Sequence, residues 1–165
     1  MAVICIPLYI FLQCTWGSIQ TCAGFFLFLR YRKCPHRFLG GAIHTGWGRR
    51  DGISLGLFIF SPECKQPDGL VIHEYGHTFQ SLLLGPLYLP VIGIPSALWA
   101  NGRKYKELRQ RYGVPYSFFF AESWADRLGK KMTDKFKWIS MAWQAAKAAG
   151  NDGIYEGGKA DGQKT

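Results

Sequence analysis

The feature that most constrains this chain is His73-Glu74-Tyr75-Gly76-His77, set in a stretch with helix punctuation at both ends. Asp68 is a good N-cap and Gly85-Pro86 a clear stop, so a helix is predicted over residues 69–84. On that helix a spacing of four puts both imidazoles on one face, one turn apart, where both can reach one ion. Glu74 follows the first histidine. It can sit beside the ion's open position without binding it and take a proton from a water that the ion has acidified. Chance produces this pattern about 0.003 times in a chain of this composition, so coincidence is a weak explanation. A stronger competing account is a motif that keeps its helix but has lost activity.

A catalytic zinc normally has three protein ligands and a water. The other histidines, His36 and His44, lie upstream in loop-like sequence. Downstream, a helix predicted to start at Pro115 and to stop near Gly129 carries Glu122 and Asp126 four residues apart. One carboxylate can bind the ion while the other orients a ligand imidazole from behind. A solvated helix face offers the same spacing. The apolar run over residues 117–121 favours the metal reading, with Glu122 as ligand and Asp126 as the orienting group.

His-Glu-x-x-His followed by Glu-x-x-x-Asp is similar to the gluzincin metallopeptidases. Glu122-x-x-Ala125-Asp126-x-x-Gly129 resembles the membrane-embedded heat-shock and CAAX-processing zinc proteases and their minimal relatives. Residues 73–99 also resemble a group of small uncharacterised bacterial membrane proteins. The resemblance covers residues 53–129. It implies zinc on His73, His77 and Glu122, Glu74 as base, and Asp126 behind His73. It also implies an edge strand before the active helix that pairs with an extended substrate, a place that residues 53–60 fit. The chain departs from the larger proteases in having fewer evident spans and a Gly-rich tail.

Residues 1–29 carry no charge. They are long enough to span a bilayer as one helix, even diluted by Gln13, Thr15, Ser18, Gln20 and Thr21. No basic residue precedes Arg30, which favours an uncleaved anchor over a signal peptide. The net charge is +9, but the basic residues crowd after apolar segments. Arg30, Arg32, Lys33 and Arg37 follow the first, and Arg103, Lys104, Lys106, Arg109 and Arg111 follow the second. That placement suits anionic headgroups better than nucleic acid, and it sets residue 30 onward on the cytoplasmic side. Five cysteines without a Cys-x-x-Cys spacing argue against a disulfide framework or a cysteine zinc site.

Residues 53–60 read as a strand, and residues 30–52 as irregular. Residues 87–100 are apolar but broken by Pro90, Gly93 and Pro95. One crossing there would part His77 from Glu122, and two do not fit. A re-entrant or interfacial hairpin is expected, against the alternative of a packed soluble core. The expected fold is α+β, mainly α. It has a minimal zincin-like core of edge strand, His-Glu helix and Glu-bearing helix, with an N-terminal transmembrane helix and an apolar re-entrant segment. The expected parts are an anchor over 1–29, a metallohydrolase domain over 30–132, and an amphipathic helix with a disordered tail over 133–165.

The expected function is a zinc-dependent peptidase at the cytoplasmic face of a bacterial membrane, acting on peptides or membrane proteins and bound to lipid. Two alternatives stand beside it. One is a zinc hydrolase of a non-peptide amide. The other is a non-catalytic membrane scaffold or binding protein whose zinc is structural, which a fourth ligand from His36, His44 or Cys64 would favour.

Overall fold

A computed structural model of the chain describes residues 6–63 and 68–135. Cys64, the helix expected over 135–149 beyond its first residue, and the tail 150–165 lie outside the described residues. The fold is α+β and mainly α, with one four-stranded sheet.

Helix α3 (Gly69–Leu84) has the bounds its punctuation predicts. Asp68 Oδ1 accepts the Val71 N–H at 2.9 Å. Gly85 closes the helix with φ +53, a conformation that favours glycine. Val71, Tyr75 and Phe79 pack into the main core beside Phe58, Ile59 and Phe60.

The sheet has strand order β1-β2-β4-β3. Strands β1 (His36–Leu39) and β2 (Ala42–Trp47) form an antiparallel hairpin across Gly40-Gly41, both at positive φ. The region expected to be irregular is thus half of the sheet. Its signal was the Gly-Gly pair between two short alternating runs. Strands β3 (Ile53–Leu55) and β4 (Phe58–Pro62) form a second hairpin, and β2 and β4 run parallel in the middle. The single strand expected over 53–60 is therefore two strands, of which only β3 is an edge. Gly56 turns the chain at φ +60, as the first position of a two-residue hairpin loop requires.

The single helix expected over 1–29 is also replaced. Helices α1 (Ile6–Thr15) and α2 (Ser18–Arg30) break at Trp16-Gly17. Among the described residues no single helix is long and apolar enough to cross a membrane. The physical reason lies in the polar residues of the segment, which bind α3. The Gln13 amide donates to the Thr78 carbonyl at 2.8 Å, and the Gln20 amide donates to Ser81 Oγ at 2.8 Å.

After α3 comes a 3₁₀ turn (Gly85–Leu87), a π-helical turn (Leu89–Gly93) and α4 (Ile94–Asn101). The stretch 69–87 and the stretch 89–101 are bent against each other by 120°. Pro90 and Pro95 sit in first turns, where a missing N–H costs little. Helix α5 (Arg103–Tyr112) follows, then a 3₁₀ turn (Tyr116–Phe118) and α6 (Phe120–Lys135). Two boundaries differ from expectation. Pro115 is extended, so α6 starts later, and Gly129 lies buried inside α6 rather than at its end.

Candidate metal centre

Helices α3 and α6 cross with almost no space between their backbones. A Cβ built on Gly76 would overlap the Ala125 carbonyl oxygen, and one built on Gly129 would overlap the Ile72 carbonyl oxygen. This crossing brings the buried Glu122 of α6 onto the histidine face of α3. His73 Nε2 lies 3.0 Å from Glu122 Oε2, and His77 Nε2 lies 3.6 Å from it. The two Nε2 atoms face each other at 3.1 Å. His73, His77 and Glu122 thus form a group whose donor atoms can hold a metal ion.

The other ring nitrogens are taken. His73 Nδ1 donates to Asp126 Oδ1 at 2.8 Å. His77 Nδ1 donates to Gln80 Oε1 at 2.6 Å. The orientation of Gln80 follows from its amide, whose Nε2 donates to the Ala121 carbonyl at 2.8 Å. A neutral imidazole has one N–H. With that N–H at Nδ1, each Nε2 turns a lone pair inward. Neither carboxylate oxygen of Glu122 receives a well-directed hydrogen bond. Electron-rich atoms gathered in a buried place without a donor are costly, and a cation removes the cost. The donor set therefore fits a metal.

Without a metal, a proton on His73 takes the cation's place. Burial works against a charged His73, but Glu122, Glu74 and Asp126 outweigh it and hold its pKa up to about 9. Burial pushes the Glu122 carboxyl up, but the two imidazoles outweigh this and hold it well below the usual carboxylate range. The centre favours positive charge. Glu74, fully enclosed one residue after His73, is pushed up by burial. Its carboxylate lies against Gly52, where a Cβ would overlap Glu74 Oε1. Gly52 immediately precedes β3, so the edge strand begins at this carboxylate. Tyr88 ties the far side of the site to the same strand by donating to the Ser54 carbonyl at 3.2 Å.

All five residues singled out from the sequence are brought together. His36 and His44 are not. His36 bonds Thr45 Oγ1 at 3.0 Å, and His44 Nε2 lies 2.8 Å from Ser61 Oγ. Sequence reasoning missed Gln80, Gly76, Gly129 and Gly52. Gln80 had a signal, since it stands three residues after His77 on the same helix face. No known protein family, characterised protein or solved structure matches the chain.

Proposed function

We propose that this protein is a zinc-dependent hydrolase that cleaves peptide bonds at a membrane surface. The observation that carries the reading is the convergence of His73 Nε2, His77 Nε2 and Glu122 Oε2, with both Nδ1 atoms engaged behind them. Two imidazoles and one carboxylate are a donor set of catalytic zinc sites, which keep a further position open. Among the described residues, His36 and His44 are engaged elsewhere, with Thr45 and Ser61, and neither closes the site as a fourth donor. This is also the arrangement of the gluzincin resemblance.

Zinc, when bound, polarises a carbonyl and acidifies a water. The chain's own residues do the rest. Glu74 accepts the proton of the attacking water and returns it to the leaving amine. Burial raises its pKa, which makes it a better proton acceptor than an exposed carboxylate. Gln80 and Asp126 hold the two ligand rings in one tautomer. The edge strand β3 starts beside Glu74, and an extended peptide that pairs with it displaces the Tyr88 hydroxyl from the Ser54 carbonyl.

The test is metal analysis of purified protein beside a peptide-library cleavage assay. Wild type should hold about one zinc per chain. Glu122→Ala should lose the metal. Glu74→Gln should keep it and lose cleavage by several orders of magnitude. Metal loss in Glu74→Gln with retention in Glu122→Ala would overturn the roles. Zinc-loaded wild type that cleaves no peptide but does cleave a lipid-linked amide would move the substrate class. If it hydrolyses neither, the metal is structural.

A further inference from the structure

Helices α1 and α2 are inside out for a protein surrounded by water. Three of their polar side chains, Gln13, Gln20 and Thr21, point inward. Gln13 and Gln20 are fully buried, and Ser81 Oγ donates to Gln13 Oε1 at 3.0 Å. Gln20 Nε2 also donates to the Gly85 carbonyl at 3.0 Å, and Thr21 Oγ1 donates to the Gln13 carbonyl at 2.8 Å. Many of their large apolar side chains point outward. Phe11, Ile19 and Phe26 are more than half exposed, Phe26 at 71%. The bent pair of α3 and α4 also exposes apolar side chains, Leu83, Leu87 and Ile94, and no charged residue lies between Glu74 and Arg103. A solvated helix shows the opposite arrangement, whereas a bilayer requires polar groups to be satisfied internally.

The two pairs share a tip. Helix α1 runs from Tyr9, packed on Gly41 of the sheet, to Trp16, whose ring lies against Gly85. Helix α2 rejoins the sheet at Thr21, beside Gly56, and runs along it past Gly24, against Leu55, to Phe28, which meets Phe58 and His36. The Trp16-Gly17 break therefore lies beside the end of α3 at Gly85. The projecting part is short. The ten residues of α1 extend about 15 Å, no more than half of a hydrocarbon core of about 30 Å, and α2 projects by less. Exposed basic residues close the open ends: Arg30, Arg32 and Lys33 after α2, and Arg103, Lys104 and Lys106 after α4.

We infer that the shared tip of these two helix pairs inserts into one leaflet of an anionic bilayer, without crossing it. The basic ends and the metal centre then stay on one side of the bilayer, outside the hydrocarbon, where the basic residues attract anionic headgroups. The inference rests on the membrane association proposed above, and it is independent of catalysis.

The experiment uses the full-length chain added to preformed phosphatidylcholine vesicles with and without phosphatidylglycerol. Wild type should float with the anionic vesicles. Phe26→Asp combined with Leu83→Asp should lower the bound fraction about tenfold or more while metal content and circular dichroism stay unchanged. A spin label on Cys14, which is exposed near the tip, with the other cysteines replaced by Ser, should report a depth below the headgroups, within the hydrocarbon of the near leaflet. Labels at Arg32→Cys and Lys104→Cys should both stay open to an impermeant reagent added outside. His73→Ala should float as wild type does, so a failed metal assignment leaves this inference standing. Metal-replete protein that remains in the aqueous fraction, as a monomer or as a dimer covering the face, overturns it. So does protection of either basic-end label from the outside reagent.

Discussion

Gly76 of α3 lies so close to Ala125 of α6 that a side chain at Gly76 would occupy the place of the Ala125 carbonyl oxygen. Gly129 repeats the contact one turn on, against Ile72. These two glycines set the distance between the helix of the histidines and the helix of Glu122. Gly76→Ala and Gly129→Ala should each gain a little helix propensity but force the helices apart. The expected net cost is about 1–3 kcal/mol each, read as a lower urea midpoint. Metal content should fall in both, because Glu122 moves away from the imidazoles. Unchanged midpoints and full metal content would mean that the crossing is looser than described.

The rings of the ligand histidines depend on Asp126 and Gln80. Asp126→Ala and Gln80→Leu should each weaken zinc binding by about 10–100-fold in a competition titration against a chelator. Gln80→Leu has a further effect. It removes the donor to the Ala121 carbonyl, next to Glu122, so it should destabilise the metal-free protein as well.

Gly52 separates loss of metal from loss of chemistry. Gly52→Ala places a methyl group where the Glu74 carboxylate lies. The ligands are untouched, so zinc content should match wild type. Cleavage should fall by about a hundredfold, the cost of misplacing a proton acceptor by about an ångström. Equal loss of metal and activity would assign Gly52 to the scaffold of the site instead.

His44 gives the fold a pH dependence of its own. Burial, helped by Arg37, lowers its pKa from 6.5 to about 4. Between these values the unfolded chain binds more protons than the folded one, so stability falls as pH drops from about 6.5 to 4. The contribution is on the order of 3 kcal/mol when fully lost. Other groups of the fold contribute to the same pH dependence, so the readout is a difference. The urea midpoint of His44→Gln should fall less between pH 7 and pH 4.5 than that of wild type. Parallel curves for the two proteins would contradict the assignment.

The site was legible in the sequence because its parts are local or chemically distinctive. Asp68 and Gly85-Pro86 mark both ends of α3, and the four-residue spacing of His73 and His77 needs only a helix to become geometry. Glu122 and Asp126 stood out as acids in an apolar run. Gln80 did not, since its role appears only when Ala121 of a distant helix approaches it.

Elsewhere local signals were ambiguous. The chain by itself determined the His-Glu helix, the candidate ligand set and the uncharged character of residues 1–29, because caps, spacing and charge act within a few residues. Only the tertiary structure decided that this leader breaks at Trp16-Gly17, that Gly56 turns one strand into two, and that Gly129 is a crossing point rather than a helix end. In each case the deciding partner is far away in the chain: Ser81 and Thr78 for the glutamines, Thr21 beside Gly56, and Ile72 beside Gly129. A glycine or a glutamine looks the same in sequence whether it ends an element or allows another to pack against it. Its meaning is set by whatever backbone or polar group arrives from elsewhere in the fold.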